Sequence, residues 1–584
     1  MLVGVLATVL PQLRAFIPAT LTPSSATASV GTLITWTPEI KGNTAGTLHY
    51  QYRVRVPGGA FRLIRDFGPE APLTWTTLDE GVYEMEVWVK DPATGDSGAA
   101  VVPFEVTARV HDGGTPVVSA TSHPLVFLYS APSCGMTGRV RVFYREAGAT
   151  NARFQSTPLQ SCSLGHTVNF YIAALKPETA YTAQQLLDDP AATPSAPISF
   201  TTGAANISVP QQTVLRAPAT PLPNGFLLQA ALFGAKPFAT DLEGNLLWYY
   251  PGSISLLTRP APGGRFWGIV QAVGGGYVDQ KIREFDLTGM TTRETNAAAI
   301  NTQLATLGKH PISSFHHEVR SLSDGNIVVL AAVEQMMTDV QGPGEKDIIG
   351  DMILVLDRDL NVLWTWDSFD HLDVGRAATL GEDCTTAGSC PPLMLAQNGN
   401  DWTHGNSVQE TTGGQLLLSM RHQDWVLKLD YRSGLGTGEV LWRLGKDGDF
   451  TYDSTDPYPW FAHQHDASFD PVTGIVAVMD NGNTRVAQRG GNSRGQVLHI
   501  DEATRHVQIL RNTDLGAFSV ALGSAQRLPN GNYHFNLGYV TPPGQTDPSA
   551  TSIEINAAGE TVYALSAATA EYRTFRLNDL YSGQ

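Results

Sequence analysis

Residues 401–445 read DWTHGNSVQETTGGQLLLSMRHQDWVLKLDYRSGLGTGEVLWRLG, and the rhythm of this stretch decides the fold class. A polar opening leads to a turn at Gly413–Gly414, then to the apolar strand LLLSM. A second apolar strand ends in Asp430 and a third ends near Trp442. Apolar runs this short, bounded by Gly, Asp and Ser, are strands rather than helix segments. The rhythm recurs in SDGNIVVLAA with DMILVLDRDLNVLWTWD and in TGIVAVMDNG with GQVLHIDEATRHVQIL. It returns at PNGFLLQAAL, PGGRFWGIV and PNGNYHFNLG, which makes six copies between residues 210 and 584. Units of about four short strands that cannot cover both faces alone indicate a six-bladed β-propeller.

Upstream, the pattern is that of immunoglobulin- or fibronectin-like sandwiches. Residues 21–110 alternate apolar and polar positions in TLITWTP, LHYQYRVRV and YEMEVWVKD. Residues 111–205 repeat this with RVRVFYRE and VNFYIAAL, and LKPETAYTAQQL carries a fibronectin type III-like corner, in which a Tyr follows a Leu-x-Pro turn. Residues 1–20 read as a leader or signal remnant with no basic residue ahead of the apolar stretch. The expected class is therefore all-β: two sandwich segments followed by a propeller.

Composition agrees and excludes several functions. Of 584 residues, 42% are hydrophobic, enough for large cores, and the 57 Gly and 36 Pro favour turns over helices. With 38 basic and 55 acidic residues the net charge is −17, which disfavours nucleic acid and requires any anionic substrate to be held by local cations. No apolar run reaches the ~20 residues of a membrane span. Four cysteines suggest two disulfides, Cys134 with Cys162 and Cys384 with Cys390, and hence a periplasmic or secreted protein.

The histidines carry the chemistry. His317, His404 and His465 each precede the first Gly turn of a repeat, at Gly325, Gly414 and Gly474. In a propeller, the first strand of each blade lines the channel, so three imidazoles meet at one mouth. The second strand runs back antiparallel, which returns Arg421 to that mouth beside His404, and Asp480 and Asn481 beside His465. Asn406 shares a face with His404 by the period of two. Three His, one Arg and one Asn can hold a tetrahedral anion by charge-assisted hydrogen bonds. The alternation turns His316 away from His317 and His422 away from the pocket, and leaves His463 one step outward from His465.

Other readings of the same residues stand beside this one. Three imidazoles could ligate zinc, although no carboxylate is evident as a fourth ligand and Arg421 opposes a dication. A metal-dependent or hydrolytic propeller enzyme, or a binding propeller whose histidines are structural, remains open at this point. GNSRG at Gly491–Gly495 fits a hydrolase elbow without the strand and helix that such a turn needs.

The stretches FHHEV, DWTHGNSVQ with SMRHQDWVLKLD, and AHQHDASF with VMDNG resemble the bacterial aryl sulfotransferases that use no nucleotide sulfate donor. The resemblance implies transfer of a sulfuryl group from an aryl sulfate to a phenol, by a ping-pong route through a sulfohistidine and with no cofactor or metal. Carried over by motif, His465 is the nucleophile and His317 the remaining catalytic histidine. His404, Arg421 and Asn406 are sulfuryl-binding groups, and the resemblance implies a hydroxyl in the last blade, for which blade position selects Ser524. The partners implied are a small-molecule donor and acceptor, with a homodimer as the candidate assembly.

Overall fold

The computed structural model describes residues 16–41, 46–111, 113–149, 154–218, 225–271, 280–385 and 393–583. The leader expected over residues 1–20 lies outside them up to residue 15, and so does Cys390. The chain is all-β, and among the described residues the helices are short, the longest being Ala297–Thr306. Two compact units divide at Arg109.

In the first unit, one sheet orders Ala19–Pro23, Ile34–Ile40 and Leu73–Trp75, and the other is built on His49–Arg55, Gly81–Lys90 and Ser97–Thr107. Trp36 from one sheet meets Phe104 from the other edge-on at 4.8 Å, so the buried alternate positions form the core between them.

The second unit begins with two further sheets, built on Phe127–Ala131 and on Arg139–Glu146. Cys134 and Cys162 are bonded there, and the Tyr181 hydroxyl accepts the Lys176 amide at 2.9 Å, closing the expected corner. This segment is tied to the C-terminal sheets. The Tyr581 hydroxyl takes the Ala173 amide at 3.0 Å, and His123 Nε2 meets the Tyr249 carbonyl at 2.8 Å.

Six arrays of four antiparallel strands follow among the described residues, two of them complete sheets and the others extended by further strands. Their innermost strands are β1 (Leu256–Ala261), β2 (Ile312–Ser321), β3 (Gly405–Glu410), β4 (His465–Asp470), β5 (Ser524–Arg527) and β6 (Glu571–Leu577). Each neighbours the next, and β6 returns to β1. β6 completes a sheet begun by Phe226–Ala231, pairing Phe226 with Leu577, so the last strand of the chain closes the series onto its start.

The reason for the apolar strands is burial on both faces: every residue of Leu416–Met420 and Trp425–Leu429 is buried. Tryptophans on outer strands tie one sheet to the next. Trp248 donates to the Leu287 carbonyl at 2.7 Å, and Trp366 to that of Gly438 at 2.9 Å. Trp442 reaches Glu502 at 2.6 Å. Polar side chains do the same between inner strands: Gln409 accepts the Phe469 amide and Gln526 the Arg576 amide, both at 3.0 Å.

Candidate active site

Three inner strands lose register where their histidines sit: between Phe315 and Val319, between Gly405 and Ser407, and between His465 and Ser468. At the same places His317, His404 and Asp466 have φ of 55°, 51° and 49°. Non-glycine residues rarely adopt this left-handed backbone, and its repetition in three strands turns the side chains out of the pleat towards one another.

His465 is 2% exposed, and its Nδ1 lies 2.8 Å from Asn481 Oδ1. The Asn481 amide nitrogen donates to the carbonyls of Ser519, at 2.8 Å, and Leu522, at 3.1 Å. The oxygen of Asn481 is therefore the end that faces His465, and the imidazole proton sits on Nδ1. Nε2 keeps its lone pair, approached only by the Leu522 amide at 3.3 Å among the described residues. Burial, followed by the Arg421 charge, holds His465 well below its usual pKa of 6.5, so the ring is neutral.

His317 packs edge-on to His404 at 4.8 Å, and its Nδ1 lies 3.0 Å from His316 Nδ1. The expectation that His316 turns away fails because the register shift breaks the alternation. His316 Nε2 is 3.1 Å from Asp351 Oδ1. Burial opposes the Asp351 charge, but the hydrogen bond from His316 overcomes it and leaves Asp351 below its usual range. As Asp351 takes the Nε2 proton of His316, His316 Nδ1 accepts from His317 Nδ1, and the lone pair of His317 is on Nε2. Burial, then the neighbouring His404 and His316, holds His317 well below its usual pKa.

His404 Nδ1 is 2.7 Å from Asp401 Oδ2, and its ring stacks on His422 at 4.4 Å. His422 therefore also points inward, contrary to expectation, with Nδ1 on the Asp401 carbonyl at 2.7 Å and Nε2 on Arg421 Nη1 at 2.6 Å. A carboxylate does stand here after all: Asp401, His404 and His422 present ligand atoms within 4.8 Å of one another. Arg421 is where the hairpin places it, its amide on the His404 carbonyl at 3.1 Å. Its Nη1 is 3.8 Å from Glu382, while its buried Nε has no hydrogen-bond partner among the described residues. Glu382 also holds His463 Nε2, and Asp424 lies 3.0 Å from His463 Nδ1. Burial disfavours the charge on His463, yet the two carboxylates raise its pKa.

Two expected ligand groups are already engaged. Asn406 Nδ2 donates to the Gln464 carbonyl at 2.7 Å and its Oδ1 accepts the Asp466 amide at 3.3 Å, clamping the backbone on both sides of His465. The Ser524 hydroxyl donates to the Thr574 carbonyl at 2.8 Å. Both residues act between neighbouring inner strands. Ser493 of the GNSRG stretch donates to the Asn481 carbonyl at 2.9 Å, which makes it part of the support of His465.

Next to the histidines lies a buried layer of charge. Arg259 meets Glu318 at 3.0 Å and also Asp466, and Arg573 meets Glu318 at 3.0 Å, all of them buried. The Tyr572 hydroxyl donates to the carbonyls of His317 at 2.7 Å and Asn406 at 3.3 Å. Asp351, Asp401 and Tyr572 escaped the sequence reading, and Asn481 was seen without its role. DWTH places Asp401 three residues before His404, a spacing that could have found it.

Comparison with known proteins gives one informative match. The arylsulfotransferase (ASST) family model matches residues 211–575. No curated protein matches. Among solved structures, the crystal structure of chicken CNTN1 FN1-FN3 domains is 15% identical, over 31% of this chain and 65% of that one. Its TM-score of 0.14 carries no argument.

Proposed function

The chain belongs to the arylsulfotransferase family and is a sulfotransferase, and on that premise we propose that it works by double displacement through a sulfohistidine on His465. The reading takes the six sheets as the blades of a six-bladed propeller, with the catalytic histidines at one mouth. The observation that carries it is the orientation of Asn481, which leaves a neutral His465 with the nucleophilic lone pair on Nε2.

In the first half-reaction, His465 Nε2 attacks the sulfur of an aryl sulfate, and the S–O bond to the phenol breaks with both electrons leaving on the phenolate. Nη and Nε donors of Arg421, together with His404, face the sulfuryl oxygens and stabilise their charge. The departing phenolate takes its proton from solvent at the mouth, and His317 Nε2, its lone pair set by His316 and Asp351, removes the proton of the incoming phenol. In the second half-reaction that phenol attacks sulfur and releases neutral His465. Asn406 and Ser524 act in this scheme as positioning residues. The Cys134–Cys162 bond supports a periplasmic or secreted location.

A second reading is favoured by one observation, the Asp401–His404–His422 group, which offers a divalent metal three ligands. Both ring nitrogens of His422 are already engaged, by the Asp401 carbonyl and Arg421, which favours the metal-free reading.

The test is nitrophenolate release from 4-nitrophenyl sulfate with and without phenol, before and after chelation, in wild type and His465→Asn. Release that needs phenol, survives chelation and disappears in the variant is expected. Release lost on chelation and restored by zinc would move the assignment to the metal reading.

A further inference from the structure

The inner strands run through the ionic layer into a second cavity, separate from the histidines. Along β2 the order is His317, Glu318, Arg320, and along β4 it is His465, Asp466, Asp470. Glu318 and Asp466 belong to the ionic layer, whereas Arg320 and Asp470 line a cavity of about 400 Å³ beyond it. That volume lies within the range of small-molecule pockets.

The charges around this cavity do not balance internally. Arg259 is matched by Glu318 and Asp466, and Arg527 by Asp470 at 2.8 Å. Arg576 has Glu554 at 3.4 Å. Asp579 is turned to its own loop, accepting the amides of Tyr581 and Ser582 at 2.7 Å. Arg320 is the exception: among the described residues its guanidinium makes no hydrogen bond or ion pair. Burial, then the nearby Arg259 charge, lowers its pKa to about 10, still charged at neutral pH. Arg320 is half-buried at the cavity wall, so a guanidinium with no counterion in contact and a like charge nearby is presented to whatever enters. Part of the wall is apolar, with Phe469, Ile475, Ala477 and Leu577 lining the same space beside the polar Gln409, Ser468 and Gln526.

We propose that this cavity is a second binding site, for a small organic oxyanion whose charged end pairs with Arg320 and whose apolar body lies on Phe469, Ile475 and Leu577. One unpaired cation selects a single negative charge, and the planar guanidinium suits a carboxylate or a sulfuryl group that accepts two parallel hydrogen bonds. The ionic layer separates this ligand from His465, so the site is distinct from the sulfuryl-transfer pocket and independent of its mechanism.

The probe is 4-iodobenzoate, a carboxylate that cannot donate a sulfuryl group. Calorimetry on the full chain is expected to show saturable binding at one equivalent, and soaked crystals to place the iodine beside Phe469 and Leu577. Arg320→Met should weaken binding at least tenfold while Arg421→Met leaves it unchanged, since Arg421 lies at the other mouth. Arg320→Met should also keep or raise Tm, because it removes an unmatched charge. A purely structural arginine would lower it. Arg320→Lys keeps the charge without the fork and is expected to bind more weakly than wild type, which tests the site even where the methionine variant does not fold. No saturable binding up to about 1 mM, equal affinity in both Arg320 variants, or loss of binding in Arg421→Met alone would each overturn the proposal.

Discussion

Replacing Asn481 with leucine tests the nucleophile assignment most directly, because the structure gives Asn481 a single link to the chemistry. Its oxygen, 2.8 Å from His465 Nδ1, is what keeps the proton on that nitrogen. Leucine leaves the Nδ1 proton buried without an acceptor, at a cost of about 1–3 kcal/mol. The ring relieves that cost by carrying the proton on Nε2 instead, giving up the hydrogen bond from the Leu522 amide. Because each 1.36 kcal/mol is a factor of ten, the reactive tautomer falls by roughly 5- to 150-fold. The two carbonyls that lose the Asn481 amide add a stability loss of about 2 kcal/mol, so the assay is run well below the lowered Tm.

The measurement is the single-turnover burst of nitrophenolate, with nitrogen NMR of His465 as an independent readout. Wild type should show its lone pair on Nε2 and the variant a mixture. The acid limb attributable to His465 should lie well below pH 6.5 in wild type, since its pKa is depressed by burial and Arg421. A burst rate within twofold of wild type, with the Nε2 lone pair intact, would refute the reasoning that Asn481 sets the tautomer.

Asp351→Asn removes the support of His316, so proton removal from the acceptor by His317 should fail while attack by His465 persists. The nitrophenolate burst should persist while steady-state turnover with phenol falls ~100-fold, a contrast that an equal loss of both would contradict. His534 is buried with neither ring nitrogen partnered among the described residues, and burial lowers its pKa to about 3. The unfolded chain binds that proton below about 6.5 and the folded chain does not, so stability is lost as pH falls from 6.5 towards 3, about 2 kcal/mol of it by pH 5. His534→Phe should flatten that decline by the same amount, read as Tm between pH 7 and 5.

The repeat, the strands and the meeting of His317, His404, His465 and Arg421 were legible because they follow from hairpin arithmetic: equal offsets from a Gly turn return to one end. What escaped depends on departures from that arithmetic. The register shifts at His317 and His404 carry left-handed backbone that no residue type announces, and they bring His316 into the site. His422 follows Arg421 at the tip of a hairpin, where alternation no longer holds. The closing strand EYRTFRL was missed because its partners lie at Phe226–Ala231, a pairing across most of the chain that no local pattern encodes. Asn406 and Ser524 were placed at the right end of the right strands. Their short side chains reach the neighbouring backbone first, which is visible only once adjacent inner strands are set side by side.

The ionic layer bears on the proposed order of events. On the propeller reading, the buried ion pairs of Arg259, Glu318, Asp466 and Arg573 close the channel next to His465, and donor and acceptor use the same mouth. A direct transfer would need both aromatic rings in line on opposite sides of one sulfur, with one of them where the charges stand. A covalent intermediate removes that requirement, since the first phenol leaves by the entrance that the second then uses. Glu318→Gln would leave Arg259 and Arg573 to share Asp466 alone, and a buried charge that loses its partner destabilises by about 3–5 kcal/mol. The same network that blocks a second entrance thus also holds the inner strands carrying His317 and His465 at their working separation.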